Sequence, residues 1–205
     1  MLGYLLERLE HCQYCDRVVV ATSVEESDDD IEKFCDALKV NCYRSSLENV
    51  AERFKGAAVK YDFDSFVRIC ADSPLLDYRL IDRLVEIFTE GEFDLVTNIL
   101  DRTFPKGQSV EVIRRDTFER AFKLMKEPQD REHVTRYFYN RPGEFRIFNL
   151  LNDVDYSWLQ LTIDRPDDIA IFDSILGGMD RPHWEYSLED ILELWHQATG
   201  GLKVS

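Results

Sequence analysis

The residues of this sequence best suited to chemistry are two aspartates that each follow an apolar segment. Asp72 comes after Phe66–Cys70, and Asp164 comes after Leu159–Ile163. If both segments are strands of one parallel sheet, both carboxylates project into the crevice at the carboxyl ends of the strands, where ligands bind in such folds. Two carboxylates suit Mg²⁺, which completes its coordination with phosphate and water. From spacing alone, the other role open to each aspartate is to cap the following turn or helix.

Other residues that could bind a metal or take part in a reaction form only part of a known motif. Cys12 and Cys15, preceded by His11, form half of a zinc or redox motif, and the sequence holds no second pair of this kind. The acidic run 28–30 is typical of a helix start, where carboxylates interact favourably with the helix dipole. His133 stands among charges near the start of a predicted helix, where a ligand role and an exposed capping role both stay open.

Composition and missing motifs exclude several classes of protein. The chain has 205 residues, with 25 Lys+Arg against 40 Asp+Glu and a formal net charge of −15. With no cluster of Lys or Arg, this charge argues against a nucleic-acid-binding surface. The glycine-rich loops of dinucleotide and phosphate-loop enzymes are absent, as are the HExxH and GxSxG motifs. A magnesium-dependent α/β enzyme acting on a phosphorylated substrate remains, or a binding module of the same shape.

The apolar runs and the cysteines predict the cellular compartment of the protein. No apolar run approaches the roughly 20 residues that a membrane span requires, and the first residues lack a basic leader. The five cysteines are an odd number and are scattered along the chain, which favours reduced thiols over a disulfide framework. We therefore predict a cytoplasmic protein without a membrane span.

Hydrophobic periodicity predicts the elements that must position these residues. The first helix has an apolar face, with Glu7, Arg8 and Glu10 on the opposite, exposed face. The first strand, 17–22, is an unbroken apolar run typical of a strand buried on both faces. Further strands are predicted at 40–44, 66–70, 93–98, 110–113, 145–150 and 159–163, with helices between them, including 47–61, 78–89 and 116–126, and two helices at the end. This βαβαβ alternation predicts a mostly parallel sheet with helices on both faces.

Five strings occurring in order resemble the cytidylyltransferase family. They are VVVATS at 18–23, YRSS at 43–46, VRICADSPL at 67–75, REHVT at 131–135 and LTID at 161–164. The relatives meant are CMP-sugar synthetases for acidic sugars, such as the acylneuraminate and 3-deoxy-octulosonate enzymes, and especially the spore-coat polysaccharide branch. The resemblance implies a three-layer Rossmann-like fold of the nucleotide-diphospho-sugar transferase type, with residues 1–205 forming one domain.

The resemblance also implies an activity and a set of site residues. Its members join CTP to a sugar or sugar acid and release pyrophosphate, in the service of surface polysaccharide or glycoconjugate synthesis. By analogy, Asp72 and Asp164 are catalytic and hold Mg²⁺. The nucleotide-binding residues implied are Ala21, Thr22, Ser23, Arg44, Ser45 and Ser46, and the sugar-binding residues are Glu111, Arg131 and His133. Relatives usually pair through the second half of the chain, so a homodimer is the corresponding expectation.

One departure from the family pattern concerns the start of the chain. The family opens with a strand and a triphosphate-gripping loop resembling Leu-x-Ala-Arg-x-x-Ser-x-Arg-Leu-Pro-Gly-Lys, which nothing here matches. That strand lies in the middle of the sheet, beside the strands at 17–22 and 66–70. Without it, either two strand edges are unpaired or these strands close on each other. We therefore expect an N-terminally incomplete domain with little or no activity.

Two other functions stay open at this point. One is a non-catalytic homologue that keeps the fold for binding or dimerisation. The other is a glycosyltransferase that uses a nucleotide-sugar through an Asp-x-Asp metal site. Asp62-Phe63-Asp64 has that spelling, but it precedes its strand and so lies at the wrong end of the sheet.

Overall fold

The computed structural model describes residues 1–141 and 143–200, in which helices and strands alternate. The first elements are α1 (Leu2–Leu9), β1 (Val19–Ser23), α2 (Asp29–Leu38), β2 (Asn41–Ser45), α3 (Val50–Lys60), β3 (Ser65–Arg68), α4 (Tyr78–Glu90) and β4 (Leu95–Thr97). The others are β5 (Glu111–Arg114), α5 (Arg115–Leu124), α6 (Pro128–Glu132), α7 (Arg136–Tyr139), β6 (Ile147–Asn149), α8 (Pro166–Gly177) and α9 (Leu188–Thr199). Among the described residues, no helix combines the length and apolar character that a membrane crossing demands.

The strands form a mixed α/β fold in which two of the four strand pairings have the expected parallel arrangement. β1 and β2 pair in parallel, with Thr22 opposite Arg44. The other sheet has the order β3-β5-β4-β6, where β4 and β6 are parallel and β5 runs against both of its neighbours. Since β3, β4 and β6 share one direction, their carboxyl ends meet at one edge of the sheet.

β1 and β3 belong to separate sheets, so the first of the two expected arrangements holds and two strand edges stay unpaired. In residues 1–141 and 143–200, β1 pairs only with β2, and β3 pairs only with β5. A cleft of about 460 Å³ lies between β1 and β3 and is also lined by α1 and α3. The prediction that the first strand is buried on both faces is therefore wrong, because three of its five residues are only half-buried beside this cleft.

The segment Leu159–Ile163, predicted as a strand, is not one. It makes a single isolated bridge, in which Gln160 lies opposite Lys106. Its backbone pairs with loops instead: Lys106 N donates to Leu159 O at 2.9 Å, and Ile163 N donates to Asp72 O at 2.9 Å. The apolar residues of the segment are buried, which explains why its sequence resembles a strand.

Two apolar clusters cover the two faces of the four-stranded sheet. Val96 and Val112 belong to the larger cluster, which includes α4, α8 and α9. Leu95 and Ile113 belong to the other, which includes α3, α5 and α7. Because neighbouring strand residues point to opposite faces, helices lie on both sides of the sheet and make three layers.

Arg8, predicted on the exposed face of the first helix, is fully buried, so that prediction is wrong. Its guanidinium donates to the backbone carbonyls of Leu76 (2.7 Å), Tyr186 (2.8 Å) and His183. A buried cation is tolerated here because three carbonyl oxygens replace its water. The residue thus ties α1 to the loop before α4 and to the segment before α9.

Candidate active site

The two predicted catalytic aspartates are neighbours in the folded chain. The hydrogen bond from Ile163 N to Asp72 O places the residue before Asp164 directly against Asp72. The Asp72 carboxylate accepts from Ser73 Oγ at 2.8 Å, and Asp164 accepts from Gln160 Nε2 at 2.9 Å and Thr162 Oγ1 at 3.1 Å. No Lys or Arg in the described part of the chain forms an ion pair with either aspartate. The pair therefore presents uncompensated negative charge at the carboxyl end of β3.

The segments assigned to the nucleotide lie side by side at the ends of β1 and β2. Ser23 stands opposite Ser45 in the parallel register, and Ala21 lines the cleft between the sheets. One carboxylate, that of Asp28, organises the end of β1: Thr22 Oγ1 donates to it at 2.7 Å and Ser23 N donates at 2.9 Å. Hydrogen bonding by the Ser23 side chain, together with these two hydrogen bonds, lowers the pKa of Asp28 to about 2. The sequence pattern indicated Asp28 only as part of a helix start.

The guanidinium of Arg44 makes four polar contacts within the protein. Its Nε donates to Ser23 O at 2.8 Å and its Nη2 to Glu25 O at 2.9 Å. The same guanidinium forms ion pairs with Asp29 at 2.7 Å and Glu32 at 2.6 Å. In this structure Arg44 therefore holds the turn after β1, and it can shape the nucleotide site by positioning Ser23. Ser46 follows β2 and accepts from the backbone N of Asn49 at 3.3 Å.

Glu111 is the centre of a buried polar cluster at the start of β5. Arg68 Nη1 donates to Glu111 Oε2 at 2.5 Å, and Tyr139 Oη donates to Glu111 Oε1 at 2.5 Å. Tyr139 Oη also lies 3.1 Å from Thr97 Oγ1. Burial, with the charge of Glu111 added to it, raises the pKa of Tyr139, which keeps the phenol neutral and able to donate. Arg68 and Tyr139 were missed from sequence, although an arginine in the apolar segment Phe66–Cys70 was a signal.

The other two residues assigned to the sugar, Arg131 and His133, lie apart from this cluster. Arg131 donates from Nε to Met125 O at 3.2 Å and stacks over Phe122. His133 is exposed, caps the C-terminal end of α6 and lies three residues before the start of α7. Within residues 1–141 and 143–200, neither makes a hydrogen bond or an ion pair with Glu111. The sugar-binding role of both residues stays a prediction.

Cys12 and Cys15 contact each other. The thiol hydrogen bond between them lowers the pKa of Cys15 and raises that of Cys12. Over the described ranges of the chain, no group of three or more His, Cys, Asp or Glu residues is arranged to hold a metal ion. A two-carboxylate site such as the pair at Asp72 does not need such a group, because Mg²⁺ takes its other ligands from phosphate and water.

Comparisons with known proteins agree with this architecture. Residues 1–170 match the cytidylyltransferase family. An uncharacterised protein of Methanocaldococcus jannaschii is 37% identical over 175 residues, which are 84% of this chain and 70% of that protein. The spore coat polysaccharide biosynthesis protein SpsF of Bacillus subtilis is 30% identical over 156 residues, which are 75% of this chain. The chain spans 64% of the length of SpsF.

Solved structures show the same likeness. A cytidylyltransferase from Leptospira borgpetersenii superimposes with a TM-score of 0.93 at 29% identity, covering 100% of this chain and 86% of that chain. A CMP:2-keto-3-deoxy-manno-octonic acid synthetase solved with CTP has a TM-score of 0.63 at 12% identity, covering 86% of this chain and 87% of the other. The second likeness concerns the fold alone. The family match extends over more than half of the sequence, and the chain therefore belongs to the cytidylyltransferase family of nucleotidyltransferase enzymes.

Proposed function

We propose that this protein transfers a cytidylyl group from CTP to a sugar acid, with Mg²⁺ held by Asp72 and Asp164, and releases pyrophosphate. In this reaction an oxygen of the sugar bonds to the α-phosphorus of CTP while the bond from that phosphorus to the pyrophosphate oxygen breaks. The hydroxyl proton passes to solvent. The product, a CMP-sugar, serves surface polysaccharide synthesis in the cytoplasm.

The observation that carries this proposal is the hydrogen bond from Ile163 N to Asp72 O, which brings Asp164 beside Asp72. The donor set fits Mg²⁺, because the ion prefers carboxylate oxygens and uses only one or two of them alongside phosphate. When bound, Mg²⁺ would neutralise charge on the phosphates and polarise the phosphorus. Gln160 and Thr162 hold one oxygen of Asp164, and they orient the carboxylate before any ligand arrives.

The rest of the proposed catalysis is positioning by this chain's own residues. Asp28 and Arg44 both bind the backbone of Ser23, so they fix the segment assigned to the nucleotide. Arg68 and Tyr139 fix the Glu111 carboxylate on the side assigned to the sugar. Holding two reactants in a reactive geometry is the main source of rate in phosphoryl transfer. The assignment to polysaccharide synthesis is supported by the 30% identity to SpsF.

The test is Mg²⁺-dependent binding of CTP, measured by calorimetry on the full chain, together with release of pyrophosphate from CTP and a sugar acid. We expect Asp72→Asn and Asp164→Asn to abolish the effect of Mg²⁺ on CTP binding and to lower whatever pyrophosphate release the wild type shows by at least about a hundredfold. The wild-type rate itself tests the low activity expected from the sequence. Their unfolding midpoints should match the wild type, because neither carboxylate has a cationic partner in the described residues.

Asp62→Asn is the matched control for these variants. Asp62 is an exposed aspartate at the other end of β3, and among the described residues its ion-pair partner is Arg115. This variant should bind Mg²⁺ and CTP like the wild type. The proposed function fails if Asp72→Asn and Asp164→Asn also retain Mg²⁺-dependent CTP binding, or if CTP does not bind to the wild-type chain at all.

A further inference from the structure

The charges around Glu111 do not balance. Both oxygens of Glu111 are in use, one by Arg68 and one by Tyr139. Burial raises the pKa of the Cys70 thiol, and burial with Glu111 raises that of Tyr139, so both stay neutral. The pair of Arg68 and Glu111 sums to zero. Any further cation near it leaves the cluster with a net charge of about +1.

Arg102 is that further cation. It lies in the loop after β4, is half-buried, and is close to Tyr139, to Cys70 and to Glu111, whose negative charge acts on it. Its Nη2 donates to Ser109 Oγ at 3.1 Å, and its Nη1 makes only a 3.4 Å contact with Pro105 O. In residues 1–141 and 143–200, no carboxylate lies within ion-pair distance of it. A partly desolvated cation without an anion is unfavourable unless a ligand supplies one.

We propose that Arg102 binds the carboxylate of the sugar acid and so makes the enzyme select acidic sugars. This inference rests on the proposed function, because it identifies the group on the substrate that the site recognises. A guanidinium can meet a carboxylate through two parallel hydrogen bonds, which gives both affinity and orientation. Arg102 has unused donors for such a contact, whereas Arg44 and Arg68 are engaged by protein carboxylates.

The position of Arg102 favours the sugar over the phosphates of CTP. The segments assigned to the nucleotide belong to β1 and β2, whereas Arg102 follows β4 in the other sheet. Its loop pairs with the segment that leads to Asp164, since Leu161 N donates to Lys106 O at 2.8 Å. A carboxylate bound by Arg102 would therefore sit beside the aspartate pair, on the side of Glu111.

The test compares Arg102→Gln with the wild type, using N-acetylneuraminate and 3-deoxy-D-manno-octulosonate as probes, each alongside its uncharged methyl ester. Binding is measured by the rise in unfolding temperature at constant ionic strength, so no turnover is needed. We expect at least one acid, but not its ester, to stabilise the wild type. Arg102→Gln should bind that acid roughly ten to a hundred times more weakly, as expected for a charged hydrogen-bonded contact. Arg102→Lys should lose less.

Arg114→Gln is the matched control. Arg114 is also half-buried and lies at the other end of β5. Its guanidinium contacts the Phe93 carbonyl at 3.4 Å and the Phe88 ring, and it forms no ion pair in the described residues. It should bind the acid normally. Without any ligand, Arg102→Gln should unfold at the wild-type temperature or higher, because the change removes a partly desolvated cation that has no ion-pair partner in the described residues. A purely structural arginine would instead lower that temperature.

Three results would overturn the inference. One is unchanged binding of the acid by Arg102→Gln. Another is a wild type that none of the acids stabilises. The third is an Arg102→Gln variant that loses Mg²⁺-dependent CTP binding and keeps the acid, which would assign Arg102 to a nucleotide phosphate. Each of these leaves the proposed function standing as long as the Asp72 and Asp164 variants behave as expected, so the two failures are distinguishable.

Discussion

The two sheets of this molecule are stabilised in different ways. In the β3-β5-β4-β6 sheet, every residue of β4 is buried, and apolar clusters cover both faces. In the β1-β2 sheet, most residues are half-buried, and polar contacts of Asp28 and Arg44 hold the strand ends. Apolar burial is the dominant stabilising term in folding, whereas hydrogen bonds in partly exposed sites contribute little each.

This difference implies that one sheet provides most of the stability, whereas the other carries the residues assigned to the nucleotide. We expect the four-stranded sheet to set the global free energy of unfolding and the β1-β2 sheet to open at lower cost, since it has few buried apolar contacts. The residues assigned to the nucleotide lie in or directly after the strands of the weaker sheet, and Glu111, assigned to the sugar, lies at the start of β5 in the stronger one. Bound nucleotide should therefore protect β1 and β2 from hydrogen exchange more than it protects β4.

The largest effect is expected from Phe118→Ala in the cluster that includes α5. Phe118 is fully buried and packs edge-on against Phe66, with ring centroids 5.2 Å apart. Its truncation leaves a cavity and should lower the free energy of unfolding by about 4 kcal/mol, measured by urea denaturation. Leu124→Ala on the same helix is the control: its side chain is 58% exposed, and the change should be under about 0.5 kcal/mol. Equal effects would contradict the assignment of stability to this sheet.

The next largest loss of stability is expected from Glu111→Gln. The change leaves Arg68 charged and largely buried without an anion, which should cost about 3 kcal/mol of unfolding free energy. Asp62→Asn breaks an exposed ion pair with Arg115 and should cost less than about 1 kcal/mol. If the two variants were equally stable, the Glu111 cluster would contribute no more than a surface pair. Denaturation in urea at pH 7 measures both.

The order and type of the elements could be predicted from sequence because they depend on local patterns. The last helix, for example, begins at a capping box formed by Ser187 and Asp190, two residues whose spacing is visible in the sequence. The segment Leu159–Ile163 was misassigned because a buried loop that pairs with other loops has the same apolar pattern as a strand. Likewise, Arg8 appears exposed in a helical pattern, and only the carbonyls of distant segments make its burial favourable.

The candidate site was predictable in part from local signals and obscure where it depends on long-range contacts. Asp72 and Asp164 both follow apolar segments, which led us to expect them together, although the segment before Asp164 is a buried loop rather than a strand. Arg68 and Tyr139 contact Glu111 across separations of 43 and 28 residues, which no spacing in one sequence reveals. Arg102 stands out only once the charges of this cluster are counted in three dimensions.

Apart from the controls, the smallest expected loss of stability is that of Asp28→Asn beside the β1-β2 sheet, and this loss depends on pH. The hydrogen bonds from Thr22 and Ser23 lower the pKa of Asp28 from 3.8 to about 2, so the unfolded chain takes up this proton first as the pH falls. The stabilisation by Asp28 is therefore complete above about pH 4 and is lost between there and pH 2. Asp28→Asn should cost about 1 kcal/mol at pH 5, a small value because the site is half-buried and screened.

The difference between Asp28→Asn and the wild type should shrink on going from pH 5 to pH 3, because the wild-type carboxylate becomes protonated in the unfolded state and then in the folded one. Asp36→Asn on α2 is the control, since Asp36 is exposed and its carboxylate has no hydrogen-bond partner in the described residues. It should show no comparable loss at pH 5. The cost of Phe118→Ala should change little over the same range, because no titratable group contributes to it. If Asp28→Asn were equally costly at pH 5 and pH 3, its effect would come from shape and packing, and the contrast between a polar sheet and an apolar one would fail.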